Sequence, residues 1–336
     1  MGDTDTLYDV AYAQDKVSGD AERKVTRGEI RKLAKVRMTY KGMNEKLRYQ
    51  EGATVYGTGL SGLNTTSPSY LTVPKERTEY IQAEGTTWMP FTYRHLSGVE
   101  MDYAPRVITY KPGRSTKETW FTGPFSVAAK GQPTGARLQL RIDDNVDPKG
   151  LVGEYADVNF PMRLTGTTQL HRDGVLVADR GSTIDKNFED AEKASYELKR
   201  TCASAGIFPM GGEATAKWRF TAGGTGDTPT SVKLLNVAFD APLNDLNQAR
   251  AGRSLTMTAD VSGAVGGLRD VRAWVTSDLG ATWQQVSVHR DDDGEHRFTA
   301  PPSALKSGGF VGVRVTATNR RGNTVDSTLP RAVPVG

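Results

Sequence analysis

The residues best spaced to ligate a metal are Asp143, Asn145 and Asp147, with Glu154 eleven residues after Asp143. Alternate oxygen donors closed by a glutamate at the twelfth place are the spacing of a calcium loop, because Ca2+ takes about six to eight oxygens at close range. The sixth place, where such a loop uses glycine for its sharp turn, holds Pro148, and proline cannot adopt positive φ. The same residues also read as a polar turn that ends a strand at Ile142. Calcium is therefore the one cofactor the sequence suggests. Other chemistry is harder to assemble. His95, His171, His289 and His296 are scattered and form no HExxH-like pattern, and a general base needs a partner that this spacing does not supply. The segment GLSGL at 59–63 is like a nucleophile elbow without its second spacer residue and reads as a loop. Cys202 is the sole cysteine, which excludes an internal disulfide framework and a Cys-based zinc cluster. It reads as a small packed residue.

Thr276, Asp278, Gly280, Thr282 and Trp283 follow the Ser/Thr-x-Asp-x-Gly-x-Thr-Trp pattern of an Asp-box. The Asp278 carboxylate can accept hydrogen bonds from turn amides, Gly280 can take positive φ, and Trp283 can cap a hairpin. Val271, Ala273 and Val275 alternate with polar residues before this turn, and Gln284, Val286 and Val288 do so after it. Two period-two runs around one turn predict a β-hairpin with a structural loop.

The chain has 336 residues, enough for two or three domains at about 100 to 200 residues each. Its 36 glycines and 16 prolines with few long helical patterns point to β structure rich in turns. A net charge of +4, from 43 basic and 39 acidic residues, is too small to indicate a nucleic-acid partner. The basic excess is local: eleven Lys/Arg face four Asp/Glu between Lys16 and Arg48, partly on a helical stretch RGEIRKLAKVRM with Thr26 as N-cap. No apolar run reaches the length of a membrane span. The opening MGDTDTLYDV lacks the basic and apolar regions of a signal peptide and reads as a cut inside a longer chain.

In order along the chain, EGATVYGTGLSGLNTTSPS reads as an irregular loop, and TEYIQ, TTWMPFTYRH and RVITY read as strands. Alternating Leu138, Leu140 and Ile142 open a second unit. TTQLHRDGVLVAD places Asp173-Gly174 at a hairpin turn, ATAKWRF is a half-buried strand and VKLLNVAF a closing one. From Ala251, the runs at 255–261 and 311–317 with the Asp-box hairpin supply strands for an immunoglobulin-like sandwich. The expected architecture is mainly β: tandem antiparallel β-sandwich domains, the last immunoglobulin- or fibronectin-III-like, with one short N-terminal helix. The units are residues 1–125 with the basic helix, 126–250 and 251–336.

RTEY at 77–80, Tyr110 with Pro112-Gly113, HRDGV at 171–175, ATAKWRF at 214–220, LLNVAF at 234–239, LNDLNQARAGR at 243–253, SDLGATW at 277–283 and GNTV at 322–325 occur in that order. By their order and spacing the chain resembles the C-terminal region of large secreted subtilisin-like serine peptidases of actinobacteria. The resemblance implies extracellular β-rich accessory modules downstream of a peptidase domain, which would be this region's partner in the parent chain. The family's catalytic motifs, Asp-Thr/Ser-Gly, His-Gly-Thr-His and Gly-Thr-Ser-Met, have no counterpart here. The expected role is thus non-catalytic: stabilising the peptidase domain or assisting substrate access. Two alternatives stand beside it. One is an extracellular module that binds protein or glycan through exposed aromatics such as Trp88, Tyr93, Trp120 or Trp274. The other is a hydrolase whose carboxylate pair, about 5 to 10 Å apart, the sequence does not reveal.

Overall fold

The computed structural model describes residues 5–11, 25–44, 46–57, 60–96, 99–104, 107–150, 152–157, 166–181, 183–203, 213–223 and 232–336. The chain is mostly β-strand and forms two compact units, Met1–Phe121 and Thr122–Gly336.

The first unit contains β1 (Thr6–Asp9), α1 (Arg27–Lys32), β2 (Ala34–Tyr40), β3 (Leu47–Gly57), β4 (Leu60–Val73), β5 (Lys75–Ile81), β6 (Thr86–Leu96), β7 (Val99–Ala104) and β8 (Ser115–Trp120). Thr26 caps α1 in a reciprocal capping box with Glu29. The helix stops at Lys32, however, and the basic stretch continues as a strand rather than a helix. The reason is its period: Ala34, Val36, Met38 and Tyr40 are buried while Lys35 and Arg37 are exposed, which only an extended chain achieves. A second expectation fails in the same way. EGATVYGTGLSGLNTTSPS, read as a loop, supplies most of the β3–β4 hairpin, with Val55 opposite Leu63 and Ala53 opposite Thr65. Its glycine and threonine content masked a pairing that the partner strands impose. One sheet has the order β1-β5-β2-β8, with β1 parallel to β5 and β2 parallel to β8. An antiparallel run β7-β6-β3-β4 makes the other face.

The second unit contains β9 (Ser126–Thr134), β10 (Arg137–Val146), β11 (Val152–Asp157), β12 (Gly166–Arg172), β13 (Val175–Arg180), β14 (Ile184–Asn187), β15 (Ala194–Ala203), β16 (Glu213–Ala222), β17 (Asn236–Asp240), β18 (Leu255–Ser262), β19 (Leu268–Thr276), β20 (Gln284–Val286), β21 (Val288–Arg290), β22 (His296–Ala300), β23 (Phe310–Asn319) and β24 (Thr324–Pro334). Asp173 and Gly174 both have positive φ between β12 and β13, the geometry of a primed two-residue hairpin turn. The last eight strands lie in two sheet regions, β17-β18-β22-β21 and β24-β23-β19-β20, the strand grouping of an immunoglobulin-like sandwich. Two details differ from the expected division. β17, read as closing the middle unit, pairs with β18 from Asn236–Ser262 to Asp240–Thr258 and so belongs to the last sandwich. β24 also pairs with β16, so strands from both sides of residue 250 share one eight-stranded sheet, β13-β12-β15-β16-β24-β23-β19-β20. A single apolar core follows, from Leu138 and Leu140 through Leu198 and Trp218 to Val313 and Val333. The fully buried Trp218 donates its indole N–H to the Leu235 carbonyl at 2.7 Å, which satisfies its one polar atom.

Candidate functional site

Of the four residues with calcium-loop spacing, the structure describes the side chains of Asp143 and Asp147. The Asp143 carboxylate is held by Arg141 at 2.7 Å and Lys130 at 3.5 Å. Asp147 accepts from the Lys149 amide at 2.8 Å, the local bond of an Asx-type turn. The side chains of Asn145 and Glu154 lie outside the described residues. Among those described, no group of three or more His, Cys, Asp or Glu could hold a metal ion. Next to Asp143, Asp144 forms a buried ion pair at 2.5 Å with Arg200, which also donates to Thr168 and the Gly181 carbonyl. These groups hold the second unit together.

The Asp-box residues form a self-contained turn. Asp278 accepts from the Thr276 hydroxyl at 2.5 Å, from the Thr282 amide at 2.9 Å and from the Thr282 hydroxyl. Gly280 has φ of 89° and donates to Thr276. The turn closes the β19–β20 pair, in which Ala273 faces Val286. The bonds from Thr276 and Thr282 pull the Asp278 carboxyl down to about 2. Trp283, beside them, is half-buried. Cys202 is buried, and burial pushes its thiol up to about 12, far from a reactive thiolate. His296 is buried at the start of β22, and burial lowers its pKa. His171 lies on β12 and His289 on β21, whereas the side chain of His95 lies outside the described residues.

The expectation of exposed aromatics is corrected at two positions. Trp88 and Trp120 are 3% and 2% exposed, because both sit on inward faces of their strands. Trp274 is half-buried beneath the Arg314 guanidinium, 5.2 Å above its ring. Tyr93 lies outside the residues whose side chains are described.

The densest ionisable cluster was not singled out by sequence reasoning. It lies between the two faces of the first unit. On β5 the inward residues are Arg77, Glu79 and Ile81, all buried, so a strand with ordinary period-two alternation turns its charges inside. β1 runs parallel to β5, pairing Leu7 with Glu79 and Asp9 with Ile81. Matched register brings Asp9 to the same side as Glu79. Across the sandwich, β3 and β6 place Glu51 directly opposite Thr92. Arg77 ties the layers together. It donates through Nε and Nη2 to Glu79 Oε1 at 2.8 and 2.6 Å, through Nη1 to Glu51 Oε2 at 2.7 Å and through Nη2 to Glu51 Oε1. Tyr40 donates to Glu79 at 2.7 Å and stacks under the guanidinium at 5.3 Å. Tyr110 donates to Glu118 at 3.1 Å.

The electrostatics follow from burial. Burial opposes the Arg77 charge, but Tyr40, Glu79 and Glu51 outweigh it and hold the guanidinium protonated. Burial raises Glu51 despite the bonds from Arg77. Asp9 has no salt link to Arg77; burial and then the Glu79 charge push it up to about 7. Asp9, Glu51, Glu79 and Thr92 line one half-open cavity of about 240 Å3, walled by Trp88 and Tyr110. The sequence signal was the tetrapeptide RTEY, whose charges at alternate positions look like an outward face until the second sheet covers them.

No protein-family model matches the chain, and no curated protein matches it. Solved structures with similarity include one on host cell surface retention of a 1.5-MDa bacterial ice-binding adhesin, at 12% identity over 90% of this chain and 98% of that one, with a TM-score of 0.23. Another is a Ca2+-stabilised adhesin that helps an Antarctic bacterium bind ice, at 14% identity over 90% and 74% with a TM-score of 0.23. A third holds three N-terminal domains of the bacteriophage RB49 highly immunogenic outer capsid protein, at 8% identity over 90% and 99% with a TM-score of 0.18. Scores of that size establish neither a shared fold nor a shared activity. Among the described residues, no helix is long and apolar enough to cross a membrane.

Proposed function

We propose that this chain is a non-catalytic, extracellular accessory region of a secreted subtilisin-like serine peptidase, working beside the peptidase domain of the same parent chain. The observation that carries the reading is how the ionisable side chains are used. Glu51 and Glu79 are bound to Arg77, Asp144 to Arg200 and Asp278 to its own turn, and burial keeps the Cys202 thiol protonated. Groups held in internal bonds are not free to act as bases or nucleophiles. The resemblance to the peptidase family's C-terminal region rests on segments that are structural here: RTEY lies in β5, ATAKWRF in β16 and SDLGATW in the Asp-box turn. Arg27, Arg31, Lys32, Lys35 and Arg37 are exposed on α1 and β2, a basic strip suited to docking on a neighbouring domain. The burial of Trp88 and Trp120 favours this over capture of glycan by their rings. The test compares the thermal stability of the parent enzyme with and without this region, and retention of the isolated region on insoluble polysaccharides and fibrous proteins. A destabilised, still active truncation with no polymer binding is expected. Retention on a polymer with unchanged parent stability would overturn the reading.

A second reading, hydrolysis by a carboxylate pair, draws on Asp9, Glu51 and Glu79 meeting in one cavity. Arg77 holds both glutamates, which argues against either acting as a free base. Cleavage of casein or aryl glycosides that Glu51→Gln abolishes would establish it. Calcium at Asp143, Asn145, Asp147 and Glu154 would add about 2.7 kcal/mol at a hundredfold excess over Kd, so EDTA would lower Tm. The commitment of Asp143 to Arg141 and Lys130 argues for an unchanged melting curve.

A further inference from the structure

Among the described residues, the cavity of the first unit is lined by more acidic than basic groups. Three carboxyls, Asp9, Glu51 and Glu79, line it with one described cation, the Arg77 guanidinium. Arg77 bonds both glutamates, while the Asp9 carboxyl, which feels the Arg77 charge, has no hydrogen bond or ion pair of its own among the described residues. A second, independent observation points the same way. Thr92 is 2% exposed, lines this cavity from the facing sheet, and its hydroxyl has no hydrogen-bond partner. A buried hydroxyl without a partner calls for an explanation, such as a bound water or ligand. The wall is aromatic and fixed: Trp88 donates its indole N–H to the Gln82 carbonyl at 2.6 Å and to Thr86 at 3.1 Å. At about 240 Å3 the space is below the roughly 300 to 1,000 Å3 of pockets for drug-sized ligands. It suits a group the size of one side chain.

We propose that this cavity binds an alkylammonium group, with Asp9 as its counter-ion, Thr92 as a hydrogen-bond acceptor and the Trp88 and Tyr110 rings around its aliphatic stem. An ammonium has three donors and no acceptor, which matches a carboxylate and an unfilled hydroxyl. Aromatic faces attract such cations when water is excluded. A divalent metal fits less well, because Arg77 already occupies Glu51 and Glu79 and no group of three described acids could hold one. The inference goes beyond the accessory role and does not depend on it. The ammonium could come from a free amine or from a lysine side chain of a polypeptide, and the two are separable.

The test titrates the full chain with n-butylammonium chloride, with 1-butanol as the neutral counterpart and with the capped tripeptide Gly-Lys-Gly, at pH 8. Tryptophan fluorescence and calorimetry give the readout. Saturable binding of butylammonium but not butanol is expected, weakened about tenfold or more by Asp9→Asn and severalfold by Thr92→Val. Asp9 must be ionised to bind, so affinity should fall about tenfold per pH unit below 7. The groups around Asp9 are Glu79 and Arg77 on β5, Glu51 on β3 and Tyr110; burial and then the Glu79 charge push Asp9 up to about 7, and burial also raises Glu51. Tighter binding of the tripeptide than of butylammonium would assign a polypeptide lysine; the reverse would assign a free amine. Equal response to butanol, unchanged affinity in a folded Asp9→Asn, or no saturable binding of either amine would overturn the proposal. Should Asp9→Asn fail to fold, unchanged affinity in Thr92→Val would do so.

Discussion

Replacing Asp9 by asparagine should flatten the pH dependence of the first unit's stability. The Asp9 carboxyl titrates at about 7 in the folded chain, against an ordinary 3.8. Because the folded-state value is the higher one, the folded chain keeps a proton that the unfolded chain releases. Its stabilising effect is complete below about pH 4 and is lost as pH rises through 7. At about 1.36 kcal/mol per tenfold difference in proton affinity, ionising Asp9 costs at most about 4 kcal/mol, of which at most about 3 falls between pH 5 and pH 8.5. Water reaching the half-buried group lowers that figure, and a measured change of about 1 to 2 kcal/mol is expected. Glu51, also raised by burial, adds a loss of the same sign. The assay is urea unfolding at pH 5 and pH 8.5, with hydrogen exchange on β1 and β5 to assign the transition to this unit. Wild type should lose stability between the two conditions, and Asp9→Asn should lose less and be the more stable protein at pH 8.5. An Asp9→Asn variant less stable than wild type at pH 8.5, or one with the same pH slope, would refute the reasoning.

Arg77→Met should destabilise the first unit by about 3 to 5 kcal/mol, since it strands two buried glutamates; urea unfolding should also show part of the loss recovered when Glu51→Gln is added. Arg200→Met should cost the second unit a similar amount, about 3 to 5 kcal/mol, by leaving Asp144 buried and unpaired, with the first unit unchanged by hydrogen exchange. Asp278→Ala should lower the Tm of the second unit at pH 7. Its carboxyl sits at about 2 against an ordinary 3.8, so its contribution is present above pH 4 and lost as pH falls toward 2, and calorimetry at pH 2 should show a smaller deficit. Trp218→Ala, which empties a fully buried site and releases the Leu235 carbonyl, should cost about 3 to 5 kcal/mol by urea unfolding.

Much of the fold was readable one strand at a time. The alternation in ATAKWRF put Ala214, Ala216, Trp218 and Phe220 inside. Asp173-Gly174 set a hairpin because both residues accept positive φ, and the Asp-box carried its own bonding within seven residues. Thr26 marked the start of α1 as its N-cap, and the structure adds the reciprocal bond from Glu29. These features are local: the residues that cause them are neighbours in the chain, so no knowledge of the rest of the molecule is needed.

Pairing across the chain decided the remainder. The Gly- and Thr-rich segment after Leu47 looked like a loop because its propensity is weak, and it becomes strand only when β3 finds β4 and β6. The stretch after Lys32 fits helix by composition, and the sheet on either side of it selected the extended form. Residue 250 looked like a boundary, but β24 returns to β16 and makes one sheet of two predicted domains. The cavity is the clearest case. Asp9, Tyr40, Glu51, Arg77 and Thr92 come from five strands, and none is unusual in its own segment. Only register, with Asp9 beside Ile81 and Glu51 opposite Thr92, brings the Asp9 carboxyl and the unpartnered Thr92 hydroxyl to the lining of one cavity. Sequence determines which face of a strand a side chain takes; what that face meets is a property of the assembled sheets.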